Sequence, residues 1–553
     1  MDAKDYEYES VIKQRVLLLQ KYIQEGKIKF DSIPDLEKSL LACRFDEKGE
    51  VDLNTVNPVV RTLASLAEDI EYREKCKNLI SLEEIQYEYF TFIENNFSFF
   101  YKMMQKTKAA PYQVAEVAAY GNSDFHELLD NLTEFLDAIV KFWEGYSASA
   151  YVHIEDSNDS LKGVFGGDLF PFENIASKCG IYIDTVVLPC PFIRSKFLFT
   201  RWNDNDKIYY LVKHALNILS YKELALADTD YPIVVILPDK EMLPEVDKEY
   251  VDSLGKQDGL FHAGKLFGRK FTSVDELMDY ADQFDTVEKV IDSVKDKKRL
   301  LFNAENTMPI EEQFIEQVSK KSGVLLDTNH PGRIVASLAF GRMNVCNELL
   351  VKSTILNGTP VIDAPTSWEY FKWKMEYDAE RTYLNQDVQN LHIVKGLNHI
   401  KDTPLQWVGK IPPDALIELR KTGAINEIRS ILAKGVDEIV SADSLNFEAT
   451  SRHVFDNLNS AFIQHEKNIK KLKTKKWKVA GKDFGSWLVM GSIEIASACI
   501  GTPLYGLSTV VLNQLLDAPK LKDLPKSIDK IKNVNKNIKA LNKSPIGLMF
   551  NYK

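Results

Sequence analysis

Along the first 150 residues apolar side chains recur three and four positions apart, the period of a helix that buries one face. Ile12, Val16, Leu19 and Ile23 form one such stripe. Ile85, Tyr89, Phe92, Phe100 and Met104 form a second, and Ser81 with Glu84 has the spacing of a capping box at its start. A third runs through Phe125, Leu128, Leu132, Phe135, Ile139 and Trp143, with Asp124 placed as its cap. Aromatic residues at helical spacing pack a core far more often than they line a pocket, so residues 1–150 read as a helical N-terminal domain.

The pattern then changes to short, continuous apolar runs rich in β-branched residues, the mark of strands buried on both faces. Such runs occur at Ile181–Leu188, within Tyr231–Asp239, at Gly323–Asp327 and at Thr359–Asp363. Helical segments separate them; the one after Pro331 has a proline suited to its first turn and is expected to end at Gly358. Strand, helix, strand, twice over, predicts a parallel sheet wrapped by helices across 151–394, with a charged helical insertion at about 240–322. The glycine-bearing stretches Gly163–Asp168 and Phe261–Phe271 read as turns. From Trp368 helices return: Pro412 and Pro413 open one, Gly423 closes it, and a long polar helix is expected from about Phe447 to about Lys478. The fold class is therefore multidomain α + α/β: a helical N-terminal region, a central parallel-sheet domain, and a basic helical C-terminal region over 395–553.

Charge sharpens that division. The net charge of −11 conceals 17 lysines, no arginine and six acids from Ala461 onward, against 52 basic and 74 acidic side chains in the rest. A basic tail on an acidic body either touches that body or reaches an external anion such as lipid or nucleic acid. A hydrophobic share of 45% and a charged share of 27% are those of an ordinary soluble protein. Six scattered cysteines without a C-x-x-C pair, and an acidic start with no apolar signal region, are expected of a cytoplasmic chain. Abundant lysine and asparagine suggest a bacterial source.

The chain carries no Walker loop, H-E-x-x-H or G-x-S-x-G motif. Three of the expected strands end in aspartate: Asp239, Asp327 and Asp363. Ligands of parallel sheets bind outside the carboxyl ends of strands, so these carboxylates could hold one Mg²⁺, with His330, Thr328 and Asn329 close to Asp327. On that reading Asp327, Asp363 and His330 are catalytic and Asp239, Asp327 and Asp363 are metal ligands; otherwise no cofactor is implied. The competing and more frequent role is capping, with Asp327 or Asn329 closing the start of the helix at Pro331. Asp184, inside an apolar run, needs a partner once buried. Trp368, Tyr370, Phe371 and Trp373 interleave with Lys372 and Lys374, which suits an amphipathic helix over the sheet.

The most apolar stretch, Trp487–Leu516, is split by Gly501-Thr502-Pro503 into halves too short to span a bilayer, and Glu494 interrupts the first. A helical hairpin in a soluble core is the expectation. Small residues and lysine-rich flanks make a conditional membrane hairpin the alternative. The pieces together suggest a cytoplasmic interaction or effector protein, of the kind found in stress or anti-phage defence, with a protein partner or self-association and the hairpin as output. A Mg²⁺-dependent hydrolase or nucleotide-binding enzyme, and a structural assembly subunit, are the alternatives.

Overall fold

The computed structural model describes residues 3–28, 38–40, 42–45, 47, 51–121, 125–167, 169–171, 174–239, 245–319, 330–381, 389–398, 411–423, 425–436, 438–439, 447–473, 478–479, 482–483 and 540. Trp487–Leu516, the run Gly323–Asp327 and the cap expected at Asp124 lie outside the described residues. The chain divides into two compact units, one of Met1–Ile85 with Gly145–Asp156 and one of Gln86–Glu144 with Ser157–Lys553.

In the first unit, helix α1 (Ala3–Gln24) packs on α2 (Pro58–Leu79). The stripe read from the sequence does the work: Ile12, Val16 and Leu19 bury against Val60, Ala64 and Ala67, where alanines let the helices approach. Asn57 caps α2 by accepting from the Val60 amide at 3.0 Å, and Pro58 occupies the first turn, where its missing N–H costs nothing. Arg73 pairs with Glu155 at 2.6 Å and with Asp156, joining the two segments of the unit.

Helices α3 (Leu82–Thr107), α4 (Pro111–Tyr120) and α5 (Leu132–Glu155) follow. The capping box forms as expected: the Ser81 hydroxyl accepts from the Glu84 amide at 3.2 Å and the Ser81 amide donates to the Glu84 carboxylate at 3.1 Å. In the second unit four parallel strands, β1 (Lys162–Phe165), β2 (Thr185–Pro189), β3 (Val234–Leu237) and β4 (Gly358–Val361), form a sheet ordered β3-β2-β1-β4. The short helix α6 (Ile175–Cys179) connects β1 to β2, and α7 (Asp204–Leu219) lies between β2 and β3. The chain then traverses α8 (Glu245–Phe267), α9 (Val274–Ala281), α10 (Val287–Ser293), α11 (Ile310–Ser319) and α12 (Pro331–Ile355) before β4. Those helices carry their own apolar cluster, built from Leu266, Phe267, Leu277, Val290, Phe314 and Val335 among others.

Three local expectations are corrected. Gly163–Asp168 is not a turn throughout: Lys162–Phe165 is the central strand β1. Glycine weakens a strand in isolation, but here a Cβ on Gly163 would stand 2.4 Å from Ile183 and 2.9 Å from Val361, so its bareness is what lets neighbouring side chains close over the sheet. Phe261–Phe267 likewise continues α8, and the chain turns only at Gly268, with φ +67°. The helix after Pro331 ends at Ile355 with Asn357 in the left-handed conformation, φ 48°, and Gly358 opens β4 instead. Asparagine is among the few residues that tolerate that region.

Helix α12 is the one described helix long and apolar enough to cross a membrane, with mean hydropathy 1.3. It packs on β1, β4, α8, α9 and the following helix α13 (Pro365–Arg381), so its apolarity serves the interior of this unit. Gly255 and Gly259 of α8 face it: a Cβ on either would come within 2.5 Å and 2.3 Å of Asn344 and Phe340. Helices α14 (Gln389–Asn398), α15 (Pro413–Lys421), α16 (Ile425–Ala433) and α17 (Phe447–Lys473) complete the described C-terminal half, with Gly423 in the left-handed region between α15 and α16 as its position suggests.

The edge strand β3 has an unusual cover. Gln86 is fully buried and its amide pairs with both backbone groups of Ile236, donating to the carbonyl at 3.0 Å and accepting from the N–H at 2.8 Å. Unpaired edge groups would be costly in an apolar interior. Gln86→Leu is expected to destabilise the second unit by about 2–3 kcal/mol, since both groups of Ile236 lose their partner. Urea unfolding of the full chain measures it, and a change below about 0.5 kcal/mol would show that the edge is satisfied without Gln86.

Candidate functional site

Strand order places the site. From β1 the chain moves outward through β2 to β3, then returns to pair β4 with the opposite side of β1. Connections leaving neighbouring strands in opposite directions open a crevice outside their carboxyl ends, the place where open parallel sheets bind ligands. By strand order that position falls between the ends of β1 and β4, at Gly166-Gly167 and at Ile362-Asp363.

Glycine is required at the exit of β1. The Gly166 amide donates to the Val361 carbonyl at 3.1 Å, extending the pairing past the strand end. A Cβ on Gly166 would meet Leu349 of α12 at 2.6 Å. Gly167 has φ +91°, closed to side-chain-bearing residues, and a Cβ there would meet that of Ser367 at 2.9 Å. Ser367, in the first turn of α13 and 4% exposed, donates to the Gly167 carbonyl at 2.7 Å and accepts from Arg342 Nη1 at 3.3 Å. Arg342 projects from α12, its guanidinium 5.7 Å over the Tyr370 ring. On the other side, Asp363 is half-buried next to Cys179 and Tyr221. Burial pushes the Cys179 thiol up to about 12, with the Asp363 charge adding to the rise, and the Tyr221 phenol is raised by the same two causes. A thiol held protonated in this way is a packing group rather than a nucleophile.

Two of the aspartates read from the sequence, Asp239 and Asp363, do not share one centre. Asp239 follows β3 and Asp363 follows β4, at opposite edges of the sheet. Three strand spacings separate those edges, about 14 Å, so the two carboxylates cannot share a cation. Asp239 is 1% exposed and already neutralised: Arg194 Nε lies 2.5 Å from Oδ2 and Lys352 Nζ 2.9 Å from Oδ1. Burial opposes its ionisation, but the two cations outweigh that and hold its carboxyl below the usual range. Mg²⁺ at Asp239 would have to displace both, so this residue does not fit a metal ligand. Asp327 lies outside the described residues. His330 is the N-cap of α12, the role expected of Asp327 or Asn329; its Nδ1 accepts from the Arg333 amide at 3.4 Å. Among the described residues no group of three or more His, Cys, Asp or Glu side chains is placed to hold a metal ion.

Asp184 has the partners its burial demands. It stands just before β2, accepts from the Leu161 amide at 2.8 Å, and pairs with Arg420 at 3.4 Å and Arg429 at 2.7 Å. This ties α15 and α16 to the amino end of the sheet, away from the crevice. Trp368, Tyr370 and Phe371 are buried in α13, and Lys374 sits between Asp258 and Asp378 at 3.0 and 2.5 Å, so the aromatic-lysine run is interior packing. Sequence reading placed Gly166 and Gly167 in a turn without assigning them a role, and it missed Arg342 and Ser367. The only available signal was two adjacent glycines after a short apolar run, and that run was itself too short to stand out as a strand. No family model, curated protein or solved structure matches this chain.

Proposed function

We propose that this chain is a cytoplasmic interaction or effector protein governed by a small ligand held in the crevice between the carboxyl ends of β1 and β4. The observation that carries this reading is the reversal of strand order at β1, combined with a glycine pair that brings the β1 exit against α12 and α13. Ligand held there would touch the start of α13 and the end of β4, whose positions the rest of the second unit depends on. The response is assigned to the helical regions, through a protein partner or a second copy. The lysine-rich C-terminal region and Trp487–Leu516 are retained as the output element, acting on a protein or an anionic lipid surface. A metal-dependent hydrolase is not favoured, because Asp239 is saturated by cations and lies across the sheet from Asp363.

The test is hydrogen exchange read by mass spectrometry on the full chain, alone and with a panel of nucleotides, nucleosides, sugars, sugar phosphates and amino acids. At least one compound should slow exchange at residues 163–167 and 358–367 together. If no compound protects these two segments, or if protection falls only elsewhere, the crevice is not the ligand site.

A further inference from the structure

The chemistry of the ligand can be taken one step further, resting on the crevice reading above. Seven described arginines are half-buried, and six of them have a carboxylate partner: Arg15, Arg73, Arg194, Arg299, Arg420 and Arg429. Arg342 is the exception. Its interactions are the 3.3 Å bond to the Ser367 hydroxyl and the contact with the Tyr370 ring, and its Nε is buried with no partner at all. No acid among the described residues pairs with it.

A partly desolvated guanidinium without an anion is costly to the folded chain, and such a charge is kept where something else completes it. The nearest groups argue for a ligand rather than for another side chain. Lys374 pairs with Asp258 at 3.0 Å and with Asp378 at 2.5 Å, so these carboxylates are already engaged. Its bonded neighbour Ser367 is fastened to Gly167, so the guanidinium is tethered to the turn that leaves β1. The tether holds the guanidinium beside the β1 exit, where Leu349 and Ser367 pack into the places that Cβ atoms on Gly166 and Gly167 would take.

We infer that Arg342 grips a phosphoryl group of the crevice ligand. A phosphoryl group offers several oxygens to the guanidinium fork, and the Ser367 hydroxyl stands beside it as a second donor once the Gly167 carbonyl is released. The ligand is therefore a phosphate-bearing small molecule, and the part beyond the phosphate extends along the ends of β1 and β4 toward Asp363.

The experiment titrates the full chain calorimetrically with inorganic phosphate, pyrophosphate, adenosine 5′-monophosphate, guanosine 5′-monophosphate and the two unphosphorylated nucleosides. At least one phosphate-bearing probe should bind and the nucleosides should not. Arg342→Gln should weaken that binding by about 10- to 100-fold, the worth of hydrogen bonds to a charged group, and Arg342→Lys should recover part of it. The same Arg342→Gln chain, without probe, should melt at the same temperature as the parent or higher, because an unpaired half-buried charge has been removed. A lowered melting temperature with unchanged binding would make Arg342 structural and overturn the assignment. Binding of nucleosides as tightly as nucleotides, or no binding of any phosphate-bearing probe, would also overturn it. In those cases the hydrogen-exchange panel still decides separately whether the crevice takes an uncharged ligand.

Discussion

Replacing Asp239 by Asn is expected to destabilise the second unit by about 3–5 kcal/mol, because two cations then share a buried site with no anion. Lys352 of α12 is 4% exposed and Arg194, in the turn of helix after β2, is 18% exposed, so neither recovers its hydration without moving the segment that carries it. The pair itself need not be stabilising, since an ion pair taken out of water gains little over a well-packed apolar pair. The double variant Asp239→Leu with Lys352→Met should therefore recover much of the loss, giving a coupling of about 1–3 kcal/mol in a double-mutant cycle. Chemical denaturation followed by circular dichroism measures both. A cost below about 1 kcal/mol for Asp239→Asn would mean that the cations find other partners, and the account of this cluster would be wrong.

Acid should weaken the fold well above the range in which carboxylates titrate. His214 is 2% exposed, neither ring nitrogen has a partner, and it lies between Phe192 and Tyr210 with ring centroids 6.0 and 5.7 Å away. Burial pushes it down to about 3. His262 is pushed down to about 3 by burial and by the nearby Arg299 charge. Its contacts agree: Arg299 donates to the Tyr377 oxygen at 2.8 Å, which leaves the phenol proton to be donated to His262 Nδ1 at 2.8 Å, and an imidazole accepting there is neutral.

The unfolded chain protonates both histidines below their ordinary value of 6.5, whereas the folded chain resists until about 3. Their contribution to stability is thus constant above pH 6.5 and is lost progressively between 6.5 and 3 as the pH falls. Each histidine adds up to about 1.4 kcal/mol per pH unit within that window, so about 5 kcal/mol separates pH 6.5 from pH 4.5 for the two together. His214→Phe, which keeps a ring between Phe192 and Tyr210, should remove about half of that slope. An unchanged slope in this variant, measured by denaturation at a series of pH values, would show that His214 is hydrated or protonated in the folded chain.

Much of the local structure was legible because it depends on near neighbours. The stripe Ile12, Val16, Leu19 marks a helix whatever it packs against, and the capping box at Ser81 and Glu84 closes within four residues. The break at Gly423 and the start at Pro331 are of the same kind, as are the β-branched runs that became β2, β3 and β4. The composition of these segments was enough for the fold class, a helical chain around a small parallel sheet.

What those local rules could not supply was position across the sheet. Three strand-end aspartates look equivalent in the sequence, yet Asp239 and Asp363 stand at opposite edges, because strand order is chosen by packing between segments more than a hundred residues apart. The same long-range packing made Lys162–Phe165 a central strand against its weak propensity, since Ile183 and Val361 fill the space beside Gly163. It gave capping at α12 to His330, and among the described residues it left Arg342 half-buried without a carboxylate. Helix periods, caps and turns are decided over a few residues and can be read in order along the chain. Which charges meet is decided only when distant segments close on one another and water is excluded between them.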